Sequence, residues 1–392
     1  MISSLRYIFL VLLFFPSITF NIVPAEVFPW GLLFFLSIGK ITHSQISFIF
    51  LFSISVVVFL LFINEHYTNQ IFRMLGAYIN PLLAAYGLIN SRYSNKDIEK
   101  LSKSLLIIFV VIGLFQFTNL ISPLSPLFDF LISRGSFMND GSIRGVSIFS
   151  TEPARASVEL LMIYFIYRYK NISLLSDALM FIFLAIIIKS ATGIFIFILM
   201  MMFFYLHEKR IYLINFSALF LVISGGYLLN LELRSRAFIL IKELVELEPD
   251  LIIQILLNTS GPRVFSFFIL PNYLLQYPLG QGFGNWELVS ETATYLSGIN
   301  YQDLNWFKYN PEQGFRSFRM PGLLLNFLVD FGLYGLLVTF LFFKSISKKV
   351  LINKFSILLI TIFCLTGSPG SPVNLIPIIY LIKNNESNKK YN

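Results

Sequence analysis

Charged residues, histidine and cysteine are scarce in this sequence. Asp, Glu, Lys and Arg make up 13% of its 392 residues, and it has 3 His and 1 Cys. Soluble domains carry about 25% charged residues, so an ordinary soluble domain is excluded. The single cysteine, Cys364, excludes an intrachain disulfide. The histidines form no HExxH or Cys/His cluster, and no basic soluble face is evident. We therefore expect no metal, no cofactor and no nucleic-acid partner.

Apolar residues dominate what the sequence does contain. They make up 56% of the chain, which includes 44 Phe. Apolar runs close to the ~20 residues that cross a bilayer as a helix recur from end to end. Segments such as LLIIFVVIGLFQF lack the alternation of membrane-barrel strands. The sequence therefore predicts an all-α polytopic integral membrane protein with about twelve transmembrane helices. The predicted spans are residues 6–22, 28–41, 44–63, 70–90, 104–122, 154–167, 172–188, 192–206, 211–229, 321–343, 353–367 and 373–383.

Two connections between predicted spans are too long to be turns. They are residues 123–153 and 230–320, and the second begins with apolar residues at the spacing of an amphipathic surface helix. Long connections in compact proteins often carry function. The chain thus divides into membrane helices over 1–229, which include the outer loop 123–153, a large outer loop over 230–320, and C-terminal membrane helices with a cytoplasmic tail over 321–392.

The basic residues differ in type between the two sides of the predicted membrane. If the N-terminus is cytoplasmic, Lys predominates on the inner side, as the positive-inside rule favours, and the C-terminus also lies inside. The outer side receives mainly Arg, whose planar guanidinium binds carboxylate and phosphate bidentately. This bias predicts an anion-handling site on the outer face. The outer arginines are Arg73, Arg134, Arg144, Arg155, Arg234, Arg236, Arg263, Arg316 and Arg319.

The stretch GVSIFSTEPARAS, residues 145–157, places charged residues between two apolar runs. Ser and Thr ahead of Pro153 are typical of a helix start, so Glu152 should lie where a helix enters the membrane from outside. Glu152 then either complements the helix dipole or belongs to a pocket in which free N–H groups, Arg144 and Arg155 bind an anion or a sugar hydroxyl. In the second interpretation Glu152 is a candidate general base. The sequence leaves both interpretations open.

Two further short segments join predicted spans or lie in the large loop. KSATG, residues 189–193, favours a tight turn in which Ser or Thr caps the next helix over direct contact with a ligand. Gly280, Gly282 and Gly284 spell GxGxG without the strand and helix context of a dinucleotide site. They predict a turn or a close backbone contact with a ligand, which makes Gly282 a candidate binding residue.

Four segments together resemble the O-antigen polymerase and ligase superfamily, and Wzy-type polymerases in particular. They are, in order, RGVSIFSTEPARAS, SATGI, SGPRVFSF with LLQYPLGQGFGNW, and FRMPGLLLNFLVDFGLYGLL. The resemblance covers residues 104 to 345, and the earlier spans match only as generic membrane helices. It implies a GT-C-like fold in the bacterial inner membrane, with both termini cytoplasmic and the active face and large loop periplasmic.

The resemblance also implies a reaction. Such an enzyme is a metal-independent glycosyltransferase that moves a growing glycan from undecaprenyl diphosphate onto another lipid-linked repeat unit. Its partners are these undecaprenyl-diphosphate-linked oligosaccharide units, membrane lipid, a chain-length regulator and a flippase. Outward arginines would stabilise the departing diphosphate. On this basis the expected catalytic residues are Glu152, Arg263 and Arg144, and the expected substrate-binding residues are Arg155, Arg316, Arg319 and Gly282.

Other functions remain open from the sequence. Ligases of the superfamily carry a histidine near the end of the long loop, where this chain reads SFRMPG, which favours the polymerase and leaves the general base open between Glu152 and Glu312. A flippase or other transporter would concentrate ionisable residues at mid-membrane, whereas the only acidic residues in the predicted spans are Glu159 and Asp177, near span ends, and Asp330. A structural scaffold would not need the outer arginines.

Overall fold

The protein is all-helical in the part that the structure describes. The computed structural model describes residues 2–20, 27–61, 68–132, 145–171, 173–207, 262–299, 307–308, 314–317, 320–347, 353–365 and 368–388, and these contain no strand. The helices are α1 (Ile2–Leu12), α2 (Trp30–Ile38), α3 (His43–Leu60), α4 (Thr68–Asn90), α5 (Asn95–Phe117), α6 (Ser125–Leu131), α7 (Pro153–Arg168), α8 (Leu174–Ile182), α9 (Ala191–His207), α10 (Pro262–Gln276), α11 (Trp286–Ser297), α12 (Leu323–Phe331), α13 (Tyr334–Ile346), α14 (Lys354–Leu365) and α15 (Ile376–Asn388).

Helix α7 lies at the centre of the helical body. Every side chain from Ala156 to Ile166 is buried, which is typical of a helix surrounded by others on all sides. It packs against α5, α9, α15 and the turn Pro372–Leu375. The predicted helix over 154–167 is confirmed, and it begins at the expected Pro153. The buried apolar side chains from Leu10 to Ile382 form one continuous core.

Most of the other predicted spans correspond to helices. Those at 28–41, 70–90, 172–188, 192–206 and 353–367 coincide with described helices to within three residues at each end, if the π-helical continuation of α8 over Phe183–Ile188 is included. The span predicted at 104–122 is shifted, because α5 begins at a capping box formed by Ser94 and Asp97 and ends at Phe117. The span 211–229 and the amphipathic helix that was predicted after it lie outside the described residues.

Two predicted spans are wrong as single helices. Helix α1 ends at Leu12 instead of continuing to residue 22, since Pro16 lacks an N–H and disfavours helix in the residue before it. The span 321–343 divides into α12 and α13 around Gly332, which has a φ of 59°. That backbone region favours glycine, so the break is encoded locally. Helix α12 also begins at Leu323, two residues later than the predicted Pro321.

The large outer loop that was predicted over 230–320 contains helices. Helices α10 and α11 pack against each other and against α12, so this part of the chain joins the same core. The shorter outer loop contains α6, whose axis bends by 107° from that of α5. Both long connections therefore contain ordered helices, and those of the larger one pack against the membrane-helix part of the chain.

Length and composition identify few complete membrane spans among the described helices. Helix α3, with a mean hydropathy of 1.9, is long and apolar enough to cross a membrane, and α5 with Ser122–Leu131 passes the same test as one bent pair. Four more apolar helices have 10–17 residues, which is shorter than the ~20 that a bilayer requires. The described part of the chain is therefore all-α, with one helix, or two if the bent pair is one span, long and apolar enough to cross a bilayer.

Candidate functional site

The segment that precedes α7 is held rigidly by contacts on both sides. The amide of Ile148 donates a 2.8 Å hydrogen bond to Oε1 of Gln116 in α5, and the amide of Val146 donates to the carbonyl of Ile187 at 3.2 Å. Phe149 stacks edge-on against the rings of Phe15 and Phe109, with centroids 5.0 and 5.7 Å away. These contacts fix the backbone that leads into residues 150–153, the STEP segment, relative to α5 and the π-helical continuation of α8.

Helix α7 starts where the sequence predicted, and its first residues carry charge. Glu152 occupies the N-cap position in an extended conformation (φ −155°, ψ 154°), and its side chain makes no capping hydrogen bond. Glu152 is exposed, whereas Arg155 in the first turn is half-buried. The Glu152 carboxylate is therefore open to a ligand, whereas Pro153 has no N–H and the amides of Arg155 and Ala156 donate to the carbonyl of Glu152, at 3.1 and 3.0 Å.

A buried carboxylate that the sequence analysis did not assign to the site lies one helical turn after Arg155 in α7. Glu159 is 1% exposed, and its Oε2 accepts a hydrogen bond of 2.5 Å from the hydroxyl of Ser150. The only sequence signal for its role was an acid within a predicted apolar span, where ionisable residues are costly and usually functional.

The KSATG turn meets the STEP segment. Lys189 adopts a left-handed conformation, and the hydroxyl of Ser190 accepts a 3.0 Å hydrogen bond from the amide of Gly193, which confirms the predicted helix cap. The hydroxyl of Ser190 also lies 2.9 Å from that of Ser157 in α7. A Cβ on Gly193 would lie 2.5 Å from Cβ of Ser157, so glycine permits this approach. Two motifs separated in sequence thus form one polar cluster.

The glycine loop is also built into the core. Gly280, Gly282 and Gly284 all have positive φ angles, of 72°, 99° and 83°. A Cβ on Gly280 would lie 2.7 Å from the amide nitrogen of Gly332, and the amide of Leu333 donates 2.7 Å to the carbonyl of Pro278. The predicted turn and close backbone contact are therefore present, and the contact is with the break between α12 and α13.

Asp330 anchors this loop. Its Oδ1 accepts a 3.1 Å hydrogen bond from the amide of Gly284, and its Oδ2 accepts one from the hydroxyl of Tyr78 in α4. Burial, with the charge of Asp330 as the next cause, raises the pKa of the nearby Tyr273 hydroxyl above its ordinary value. Tyr273 therefore stays protonated, and no local pattern in the sequence indicates that these residues meet.

The opposite end of α7 carries a separate buried ion pair. Nε of Arg168 donates to both oxygens of Asp177, at 2.8 and 3.1 Å. Hydroxyls of Tyr164 and Tyr205 donate to the same carboxylate at 2.5 and 2.9 Å. The guanidinium carbon of Arg168 also lies 5.1 Å from the ring centroid of Phe204. This cluster joins α7, α8 and α9 and serves packing.

The candidate residues are distributed over four parts of the fold. Glu152 and Arg155 lie together at the start of α7, whereas Gly282 is buried in the loop that packs on α12. Arg263 is the second residue of α10, and Arg316 lies in the turn Gly314–Ser317. Two other candidates, Arg144 and Arg319, and the alternative base Glu312 lie outside the described residues.

The start of α7 brings together the carboxylate of Glu152, the guanidinium of Arg155 and the hydroxyls of Ser157 and Ser190. Where the structure describes the chain, no group of three or more His, Cys, Asp or Glu side chains is placed to hold a metal ion. Carboxylate, guanidinium and hydroxyl groups at a helix start suit an anion or a sugar. Comparisons with protein-family models, with curated proteins and with solved structures find no match for this chain.

Proposed function

We propose that the protein is a polytopic membrane enzyme that polymerises a surface polysaccharide, as an O-antigen polymerase. It transfers a growing glycan from undecaprenyl diphosphate to another lipid-linked repeat unit at the periplasmic face of the bacterial inner membrane. The observation that carries the proposal is the contact between two segments of the resemblance, RGVSIFSTEPARAS and SATGI, through the hydroxyls of Ser157 and Ser190 at 2.9 Å.

Exposed apolar stripes support the membrane location. Along α3 and its C-cap, exposed apolar residues follow one another at three- or four-residue intervals: Ile46, Phe50, Ile54, Val57 and the C-cap Leu61. Phe50 is 65% exposed and Leu61 80%. Water-soluble proteins rarely leave contiguous apolar faces uncovered. A lipid environment stabilises such a stripe because hydrocarbon does not penalise apolar surface.

A second stripe runs along α5. Ile107, Ile108, Val111, Leu114 and Phe115 are exposed on one face of the helix, while Phe109 and Gly113 on another face are buried. The buried face packs against α7, so the apolar exposed face points away from the core. We therefore assign the exposed face of α5 to contact with lipid.

The reaction needs three functions from the site. A hydroxyl oxygen of the acceptor sugar bonds to the anomeric carbon of the donor, while the bond from that carbon to the diphosphate oxygen breaks. A base accepts the hydroxyl proton, and cationic groups stabilise the charge that develops on the diphosphate. Glu152 is exposed and lacks a side-chain capping bond, which suits a base. Arg144 and Arg263 are assigned to the diphosphate, and Arg155, Arg316, Arg319 and Gly282 to substrate binding.

Deletion of the gene in its bacterial host tests this function. The surface polysaccharide is run on a gel after complementation with wild type, Arg263→Ala, Arg144→Ala or Arg155→Ala. Wild type should restore the ladder, and the site variants should leave a single repeat unit on its acceptor. Arg92→Ala is the matched control, because Arg92 is exposed and the charge pattern places it on the cytoplasmic side, opposite the candidate site. It should restore the ladder fully.

The gel also separates the alternatives. Long chains that accumulate on the lipid carrier, without any capping of the acceptor, would identify a ligase. Loss of every outward-facing lipid-linked repeat unit would identify a flippase. Full ladders from all the arginine variants, at wild-type protein level, would exclude the arginine mechanism.

A further inference from the structure

We infer that α6, together with the 3-10 turn Ser122–Leu124 that precedes it, lies flat in the outer surface of the membrane, with Leu124, Leu127 and Phe130 among the acyl chains of phospholipid. The inference rests on the proposed function for the membrane location and for the outer position of this segment. It depends on no step of the reaction.

The chain changes direction sharply between α5 and α6. The two helix axes meet at 107°, close to a right angle. Asn119 at the bend has a φ of 58°, in the left-handed region that asparagine tolerates, and Pro123 and Pro126 are second in the turn and in α6, where proline suits a helix start. Membrane spans tilt from the membrane normal by about 20° on average. When α5 spans at such an angle, α6 runs closer to the membrane plane than to the normal.

The length of α5 gives the depth of this bend. Lys103 is the last charged residue of α5, and from it to Phe117 at the end of the helix the axis rises about 21 Å, at 1.5 Å per residue. The hydrocarbon core is about 30 Å thick, so with Lys103 at the inner boundary the bend lies about 9 Å below the outer one. Interfacial helices bury their apolar face about 5–10 Å into the boundary between headgroups and acyl chains. The bend therefore brings α6 to the depth that such helices occupy.

The segment has one face packed on the protein and one apolar face exposed. Ile121 and Phe128 are buried, and the ring of Phe128 lies 5.8 Å from that of Phe149. The exposed apolar residues of the segment are each at least 51% exposed: Leu120, Leu124, Leu127 and Phe130. Asp129 follows Leu127 by two positions, so it points to nearly the opposite side of the helix, and it is the one charged residue between 122 and 131. Apolar side chains on one side and a charge on the other are typical of a helix in the membrane interface.

The same contacts fix α6 on the protein and leave its apolar face to lipid. The amides of Thr19 and Phe20 donate to the carbonyl of Leu131, at 2.8 and 3.2 Å, so the last turn of α6 is tied to the segment after α1. The exposed apolar face continues the one on α5, which ends with Leu114 and Phe115. Water penalises contiguous apolar surface and hydrocarbon does not, so one lipid phase covers both faces.

This position suits a lipid-linked substrate. The diphosphate of a polyprenyl carrier lies at the level of the headgroups, because its charge excludes it from hydrocarbon. The buried face of α6 packs on Phe149, which immediately precedes the STEP segment. A helix that is held in the interface therefore holds the candidate site near the level of the reacting diphosphate.

Spin labels measure the depth of α6. Leu124→Cys, Leu127→Cys and Phe130→Cys are labelled one at a time in the whole protein, in nanodiscs of phosphatidylcholine and phosphatidylglycerol. Wild type is taken through the same labelling, because the native Cys364 is buried but present. Collisions with oxygen, which concentrates in hydrocarbon, and with a nickel chelate, which stays in water, give each depth. All three labels should favour oxygen and share a depth of about 5–10 Å below the headgroups.

Two further labels are controls. Asp129→Cys is next to Phe130 in sequence but on the polar side of α6, so its label should favour the nickel chelate. Val111→Cys lies on the exposed face of α5, and its label should be about 9 Å deeper than the labels of α6, at 1.5 Å per residue from the end of α5. The Val111 label thus tests the membrane location by itself. The three positions on α6 are independent, so poor accumulation of one variant leaves the other two to decide.

Three results would overturn the inference. Depths that change by about 4.5 Å from each α6 label to the next would show that α6 enters the membrane along its axis, as a re-entrant segment. Preference for the nickel chelate at all three positions would place this face in water. Protection from both reagents would place it against protein, such as a second copy of the chain.

The labels also separate this inference from the proposed function. If Val111 favours the nickel chelate as well, the membrane location fails together with the inference, whereas oxygen at Val111 alone means that only the inference fails. The expected depths, in a protein that polymerises no lipid-linked units, would refute the proposed reaction and support the position of α6.

Discussion

The hydroxyl of Tyr78 donates a 2.5 Å hydrogen bond to Oδ2 of Asp330, across 252 positions of sequence. Both residues are buried, and the second oxygen of Asp330 accepts the amide of Gly284. This contact joins α4, α12 and the glycine loop in the interior. The carboxylate is therefore expected to be important for the stability of the fold as well as for the position of the loop.

Removal of either partner should destabilise the protein. Tyr78→Phe takes one donor from a buried carboxylate, and we expect a loss of about 1.5–3 kcal/mol in the free energy of unfolding. Thermal unfolding of the detergent-solubilised protein measures this loss. Tyr7→Phe is the matched control, because Tyr7 is 51% exposed, and it should leave the unfolding temperature unchanged. A wild-type unfolding temperature for Tyr78→Phe would contradict the role of the contact.

Removal of one partner of the buried ion pair between Arg168 and Asp177 should cost more stability than replacement of both partners by apolar residues. Asp177→Ala leaves the 1%-exposed Arg168 without its carboxylate and should cost about 3–5 kcal/mol of stability. Replacement of both residues, as Arg168→Met with Asp177→Leu, should cost clearly less than Asp177→Ala alone, because no uncompensated charge remains. Comparison of the unfolding temperatures tests this order, and a double variant less stable than the single one would contradict it.

Gly145 should tolerate no side chain. A Cβ at this position would lie 2.1 Å from the carbonyl oxygen of Ile188, which is backbone and unable to rotate away. Gly145→Ala is expected to cost about 1–3 kcal/mol and to weaken the polysaccharide ladder, since it pushes the STEP segment from α8. Gly76→Ala is the control, because nothing lies within 4 Å of its Cβ. Alanine there should stabilise α4 by about 0.5–1 kcal/mol.

The start of α5 should contribute a pH-dependent term to stability. Hydrogen bonds from the Ser94 side chain and then its backbone amide hold the pKa of Asp97 below its ordinary value of 3.8. A carboxyl whose pKa is lowered by folding stabilises the protein above the unfolded pKa, and this contribution is lost as the pH falls through the folded pKa. Ser94→Ala should therefore cost about 1 kcal/mol at pH 7.

The difference between wild type and Ser94→Ala should shrink in acid. Once the pH falls through the lowered folded-state pKa, Asp97 is protonated, and the hydrogen bonds that its carboxylate accepts from Ser94 in the wild-type protein weaken. Unfolding temperatures at neutral and at strongly acidic pH measure the two differences. An equal difference at both pH values would show that the carboxylate of Asp97 does not contribute.

Local sequence features predicted the starts and types of helices well. Pro153 after Ser and Thr identified the start of α7, and Ser190 was expected to cap α9, because each signal acts within four residues. The extent of helices was harder to predict from apolar runs. Pro16 and Gly332 interrupt apolar segments that composition alone presents as continuous, although their backbone preferences act against a single helix.

The candidate site was predicted in part. The exposed Glu152 and the half-buried Arg155 lie together as expected, whereas the buried Glu159 and Asp330 were recognised only as acids in apolar spans. Their partners, Ser150 and Tyr78, lie on other parts of the chain. Pairing across the fold depends on how all helices pack, and periodicity carries no information on which faces meet.

The amino-acid sequence alone determined that the chain is helical and rich in apolar faces, and it placed the first turn of α7 with its charged residues. These properties follow from backbone preferences and hydrogen bonds within about four positions. The tertiary structure alone decided that Ser157 meets Ser190, that Tyr78 reaches Asp330, and that Ser150 folds back onto Glu159. Such contacts form only when distant helices dock, because burial of a polar group requires a partner that packing must bring to it.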